Sequence, residues 1–287
     1  MHRGAERFQF RRCRGCGLVY LSPRVPPEAL GRYYDQTYLP HRGPGAWGRY
    51  AALAAEGERR TDAARVKLAR GAARLDPGSR VLDVGCGRPT FLEALARATG
   101  AAGTGIDLSD AGWRAEEDRW RTAGLVLRRG TVDAALPDGP FDLITLWHAL
   151  EHDYQPLDTL RRLREVSRPD GALVVEVPNY DSLTRRLQGE HWAGFHTPRH
   201  TAVYTPDTLA AMLTRAGWRV DRRLRYGTLD PWVLWWLGRQ ERAGRRLDGD
   251  LEGAFPGFII GKLLTLPITL AQRRISLGVQ VAIARAA

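Results

Sequence analysis

Lysine is nearly missing from this sequence. Of 43 basic residues only Lys67 and Lys262 are lysine, the rest being arginine, and against 32 acidic residues they leave a formal net charge of +11. The arginines run along the whole chain and are interleaved with acids, so the charge reads as a solvated basic surface and does not by itself make nucleic acid a partner. Cysteine is scarce too. Cys13, Cys16 and Cys86 cannot build a disulfide framework, and with no signal-peptide pattern before them a reducing cytoplasm is the expected compartment. A long uninterrupted hydrophobic run is also lacking. The longest apolar stretch, Phe255 to Ala271, contains Lys262 and two prolines, which predicts a segment that does not cross a membrane.

What is present divides into three regions. Residues 1–60 form an N-terminal extension with the Cys13/Cys16 pair, a proline-rich turn (Ser22, Pro23, Pro26, Pro27) and an aromatic segment from Tyr33 to Tyr38. Residues 61–226 carry alternating patterns. A helix is expected over Thr61–Leu75, then strands at 81–84, 102–108, 125–129, 141–147 and 173–177, separated by helices near 89–99, 111–123 and 157–167. Short apolar strands alternating with helices argue for a parallel sheet covered on both faces, a doubly wound α/β fold. A polar, aromatic loop at 189–204 interrupts the regularity before a helix opened by Thr205-Pro206-Asp207. Residues 227–287 are an apolar, tryptophan-rich insertion followed by a last strand at 278–284.

The chemistry concentrates at the first strand. Val81-Leu82-Asp83-Val84-Gly85-Cys86-Gly87 runs from strand to glycine turn to helix. The glycines let backbone approach a ligand and the helix start favours an anionic group. Asp83 can accept a hydrogen bond from an ammonium group. Asp107, 24 residues on at the end of the second strand, stands where a carboxylate can take both hydroxyls of a ribose. Together they indicate nucleoside binding. The pattern Gly-x-Gly-x-Pro at residues 85–89 argues against a nicotinamide dinucleotide.

These residues resemble a known family. Asp83-Val84-Gly85-Cys86-Gly87, Gly105-Ile106-Asp107, Phe141-Asp142-Leu143-Ile144, Leu150-Glu151-His152, Arg168-Pro169-Asp170-Gly171 and Val177-Pro178-Asn179 are similar, in order and spacing, to the motifs of class I S-adenosylmethionine-dependent methyltransferases. Cys13-Arg14-Gly15-Cys16, His191-Trp192, Pro198-Arg199-His200 and Ala216-Gly217-Trp218 resemble a bacterial small-molecule branch of it. The resemblance implies a seven-stranded sheet with its last strand antiparallel, an N-terminal extension and a C-terminal cap. It implies S-adenosylmethionine as cofactor and a small-molecule acceptor, oxygen by default, lipid-like or glycosyl in character. Asp83, Gly85 and Gly87 would hold the methionine end, Asp107 the ribose, Leu108 one face of adenine, and Asp133 the adenine amine. Pro89 stands where the family has glycine. Proline suits a first helical turn but removes a donor near the methionine carboxylate. The Cys pair is half of a zinc site whose other half, upstream in relatives, has no counterpart here.

Methyl transfer from a sulfonium needs alignment, and a base only if the acceptor must lose a proton. His148, His191 and His200 are the base candidates, with His152 and His196 nearby in sequence and Glu151 as an orienting carboxylate. For His148 the alternative is packing at a strand end. For the 189–204 loop the alternatives are a lid over the acceptor and a structural loop pinned by Trp192. No catalytic metal is expected. An RNA methyltransferase is the rival enzyme, but Trp147-His148-Ala149-Leu150 is not the Asn/Asp-Pro-Pro-aromatic motif of base-amine methylation. A cofactor-binding protein without catalysis is the rival outside enzymes. The apolar insertion is a cap, a channel for a hydrophobic acceptor, or a peripheral membrane contact.

Overall fold

The computed structural model describes residues 8–33, 42–245, 247, 249 and 251–287; of the aromatic segment only Tyr33 falls among them, and Arg246 lies outside. In chain order the strands and α-helices are β1 (Phe10–Arg12), β2 (Val19–Leu21), α1 (Ala51–Ala72), β3 (Arg80–Val84), α2 (Thr90–Thr99), β4 (Ala102–Asp107), α3 (Glu117–Thr122), β5 (Val126–Arg129), α4 (Val132–Ala135), β6 (Phe141–Trp147), α5 (Pro156–Glu165), β7 (Ser167–Pro178), α6 (Leu183–Gln188), β8 (Ala202–Val203), α7 (Pro206–Arg215), β9 (Trp218–Leu224), α8 (Pro231–Arg242), α9 (Phe255–Leu270) and β10 (Val279–Ala286).

Seven of the strands make one sheet in the order β5-β4-β3-β6-β7-β10-β9. The first five in that row are parallel, and β10 inserts antiparallel to both β7 and β9. Central strands buried on both faces must be apolar throughout, and the two cores show it by alternation. Val81, Leu143 and Val174 face Val66, Ala69, Phe91 and Leu95 of α1 and α2. Leu82, Ile144, Leu173 and Val175 face Leu160, Leu163, Leu209 and Leu213 of α5 and α7. The chain winds outward in both directions from β3, so the carboxyl ends of β3 and β6 flank the switch point where such sheets bind ligands.

Four local differences from the sequence-based expectation have physical causes. The helix expected from Thr61 begins at Ala51, because an alanine-rich run with Glu56, Arg59 and Arg60 ion pairs extends it backward. The helix expected at 111–123 is two 3-10 turns and the short α3, drawn in by the buried Trp113 and Trp120. Strand β7 takes in the Pro169-Asp170-Gly171 turn, with a bulge between its Phe141 and Leu143 pairings on β6. The N-terminal hairpin β1–β2 pairs with β8 of the 189–204 loop, so the extension and the loop share one small sheet.

The insertion between β9 and β10 folds as two helices. Trp232 and Trp236 are buried on α8, and Trp236, Trp47, Phe255 and Phe258 form an aromatic cluster with centroid spacings of 5.3 to 5.9 Å between Trp47 and the other three. By length and composition the helical stretch Glu252–Arg273 is apolar enough to cross a membrane, and only 6% of its most apolar window is buried in the protein. Lys262 does not break it because its amine is paired with Asp230 at 2.7 Å.

Candidate active site

The glycine turn is built as the sequence indicates. Gly85 and Gly87 both hold positive φ, 75° and 49°, which side chains tolerate poorly. A Cβ at Gly85 would stand 2.6 Å from the Ala149 Cβ, whereas Gly87 faces open space. Asp107 stabilises this turn from the neighbouring strand, its Oδ2 accepting from Gly87 N at 2.9 Å and its Oδ1 from Ser109 N at 3.0 Å. Asp83 lies beside Gly105 on one flank and Thr145 on the other, and accepts the Thr145 hydroxyl at 2.6 Å. Burial drives its pKa up to about 7, against the opposing effect of that hydrogen bond. An ammonium group arriving at Asp83 would therefore find a carboxyl that its own charge converts to carboxylate. Open space above Gly87, two carboxylates on adjacent strand tips and Leu108, 54% exposed just beyond β4, fit S-adenosylmethionine.

Helix α1 contributes residues that sequence reading missed. Glu58, Asp62 and Arg65 lie at helical spacing on the side facing the turn. Arg88, inside the turn, is held between Glu58 at 3.0 Å and Glu116 at 2.7 Å. Asp62 is 4% exposed, and burial raises its pKa. Arg65 lies 5.3 Å above the Trp147 ring, and its buried Nε has no hydrogen-bond partner, so it has a donor to offer an anionic group. The available signal was a polar row, residues 58, 62 and 65, on a helix whose Val66, Ala69 and Ala72 are buried.

A second cluster stands at the ends of β6 and β7. His148 adopts φ 56°, a conformation that costs a non-glycine residue about 1–3 kcal/mol. That turn sets its ring between two fully buried carboxylates, with Nδ1 3.2 Å from Glu151 Oε1 and Nε2 3.1 Å from Glu176 Oε1. Burial alone would lower the His148 pKa, but the hydrogen bond to Glu151 and the close carboxylate of Glu176 outweigh it and raise it to about 9. Both glutamates are held below the ordinary carboxylate value, the contact with His148 overcoming their desolvation. Thr228, at the start of the insertion, donates its N–H to Glu176 Oε2 at 2.6 Å. Glu151 Oε2 is buried without a donor.

Of the other histidine candidates, His200 joins this cluster and His191 does not. His200 Nδ1 donates to the Gly194 carbonyl at 2.8 Å, and its Nε2 lies 4.0 Å from Glu151 Oε1. His191 has Glu190, at 3.9 Å, as its ionic neighbour among the described residues. The 189–204 loop is a packed wall: Trp192, Tyr204 and Val203 are at most 1% exposed. Asp133, expected beside the adenine amine, is 63% exposed and pairs with Arg162 at 2.9 Å. His152, His196 and His200, from two segments of the chain, bring ligating atoms within 4.8 Å of one another. Arg199 donates to His196 Nε2 at 3.0 Å, and that fixed positive charge opposes a cation at the same place.

Comparison with known proteins agrees with this geometry. A family model described as a methyltransferase domain matches residues 56–222. The ubiquinone biosynthesis O-methyltransferase of Nitrosospira multiformis is 31% identical over 49% of this chain. The mitochondrial enzyme of the same name from Schizosaccharomyces pombe is 34% identical over 55% of it. The chain spans 62% of the length of each of these two relatives, and 32% of an uncharacterised protein in a Streptomyces fradiae transposon to which it is 36% identical. Among solved structures, the cyclopropane synthase MmaA2 of Mycobacterium tuberculosis superposes with a TM-score of 0.53 at 18% identity, over 78% of this chain and 83% of that one. The cyclase SpnF does so with a TM-score of 0.58 at 18% identity, over 92% and 97%. These two likenesses concern the fold alone. With the family model covering more than half of its length, and with the glycine turn, Asp83 and Asp107 in place, the chain belongs to the methyltransferase-domain family, the class I fold that uses S-adenosylmethionine.

Proposed function

We propose that this protein transfers a methyl group to an oxygen of a small organic acceptor. The observation that carries the reading is the His148–Glu151–Glu176 cluster at the ends of β6 and β7, beside the strand that flanks Asp83. The likeness to O-methyltransferases supports oxygen as the atom. When bound, S-adenosylmethionine supplies the electrophilic methyl. The protein's residues orient it: Asp83 takes the ammonium group, Asp107 the ribose hydroxyls, Leu108 one adenine face, and Arg65 faces the methionine carboxylate. The acceptor hydroxyl loses its proton to the histidine–carboxylate cluster, whose apparent pKa belongs to the group as a whole.

Two measurements test this. Calorimetry with S-adenosylhomocysteine should show binding that Asp107→Ala weakens by about 1–3 kcal/mol, the worth of lost charged hydrogen bonds; an unchanged affinity removes the ribose assignment. The rate should climb with pH toward about 9 as His148 gives up its proton, and His148→Gln should abolish that limb. A profile flat from pH 7 to 10 in the wild type would exclude this cluster as the base.

A further inference from the structure

The outward side of α9 has no polar side chain. A helix on a protein surface ordinarily buries one face and turns charged or polar residues to water. On α9 Phe255 is buried and Phe258, Ile259, Gly261, Lys262, Thr265 and Thr269 are partly covered, following a helical stripe toward the protein. A Cβ at Gly261 would run into the Trp232 ring, so the helix sits directly on α8 there. The opposite stripe holds Ile260, Leu263, Leu264, Leu266, Ile268 and Leu270, between 46% and 76% exposed. The polarity is inverted relative to a water-facing helix.

This face continues beyond α9. Ile275 is 47% exposed, and Leu183 N donates to the Ser276 carbonyl at 2.9 Å, which brings the start of α6 alongside. There Leu183 and Leu187, one turn apart, are 37% and 60% exposed. Arginines border the leucines at the end of α9, while Asp181 and Glu190 stand exposed on either side of α6. Arg273, Arg274 and Arg186 are exposed at this end, and no aspartate or glutamate follows Glu252 in the sequence. Along α9 and residues 273–275, exposed leucines and isoleucines end in two arginines with no acid after Glu252, which complements a layer of acyl chains under anionic headgroups.

Both ends of α9 are tied to the same domain. At its start Leu251 N donates to the Ala46 carbonyl at 3.0 Å, and Phe255 stacks on Tyr50 with centroids 4.4 Å apart. At its end the chain passes through Ser276, whose hydroxyl accepts from Asn179 Nδ2 at 2.8 Å, straight into β10 in the sheet. A helix fixed at both ends along the domain lies on a bilayer and does not cross it. We infer that α9, with α6 and residues 273–275, docks this protein on an anionic membrane surface, its leucines in the acyl boundary and its arginines on lipid phosphates. The insertion starts at Thr228 on Glu176, so docking holds the carboxyl edge of the sheet near the headgroups. The inference does not depend on which atom is methylated.

The test is co-sedimentation of the full chain with vesicles of phosphatidylcholine alone and of phosphatidylcholine with 30% phosphatidylglycerol, an arbitrary but roughly physiological anionic share. Binding to the anionic vesicles, at least about tenfold tighter than to the neutral ones and falling as salt rises, is the expected result. Leu263→Glu/Leu264→Glu should reduce it at least about tenfold while calorimetry with S-adenosylhomocysteine stays unchanged, which shows the fold intact. Arg273→Gln/Arg274→Gln should remove most of the preference for anionic lipid. Absence of binding to both vesicle types overturns the inference. So does a lipid-free dimer in sedimentation that Leu263→Glu/Leu264→Glu dissociates, since a second copy would then cover the face. Failure of methyl transfer would leave the docking result standing.

Discussion

Replacing His148 by alanine is expected to destabilise the protein by about 3–5 kcal/mol, the range for removing one partner from a buried ionic group. Glu151 and Glu176 would be left facing each other at full burial. The pH dependence identifies the cause. In the wild type the His148 pKa is raised to about 9 from its ordinary 6.5, so its stabilisation is complete below about pH 6.5 and is lost as pH rises through about 9. At about 1.4 kcal/mol for each pKa unit, this amounts to something on the order of 3 kcal/mol. The glutamates, held low, contribute above about pH 4.5 and lose their contribution as pH falls through their lowered values. Stability should therefore peak between these limits. Denaturant unfolding from pH 5 to pH 10 follows it. In His148→Gln the decline between pH 7 and 9 should vanish; a decline of the same size in that variant would mean that another group titrates.

Trp192→Ala is expected to cost a further large amount, about 3–5 kcal/mol, as for other fully buried aromatics. Its ring is wholly enclosed, packs edge-on against Phe195 at 5.4 Å and closes on Gly194. For a chain of this length each kcal/mol shifts the melting temperature by about 2–4 °C, so a fall of roughly 10 °C is anticipated in thermal unfolding. Cofactor affinity, measured below the transition, should barely change. A melting temperature within a degree or two of the wild type, together with collapsed turnover, would instead make 189–204 a mobile lid.

The parts of this molecule that could be read from sequence are those whose cause is local. Asp83 and Asp107 each end a short apolar run, and the glycines after Asp83 leave few other conformations for the turn. The fold followed from apolar runs alternating with helical patterns. His148 and Glu176 were not legible as a pair: they lie on neighbouring strands, and only the positive φ at His148 turns the ring between the carboxylates. Asp133 was placed by analogy, but the neighbouring helix supplies Arg162, an exposed partner that takes its charge. An all-apolar helix has no phase in its sequence, so the outward face of α9 emerged only when Trp232 and Phe258 fixed which side packs inward. The small sheet depends on pairing the β1–β2 hairpin with β8, about 180 residues further along the chain.

Strands β9 and β10 are antiparallel neighbours, with Leu224 paired to Val281. The chain therefore leaves the sheet after Leu224 and returns at Val279 on the same edge. Everything between is a closed excursion, and the sheet's register is set without it. Loop-closure cost rises by only about 0.6 kcal/mol for each doubling of length, so a change in length away from the packed Trp232, Trp236 and Phe255 carries little entropic penalty. The fold thus has a modular port: residues 225–278 can vary in length without altering the strand order that carries Asp83 and Asp107.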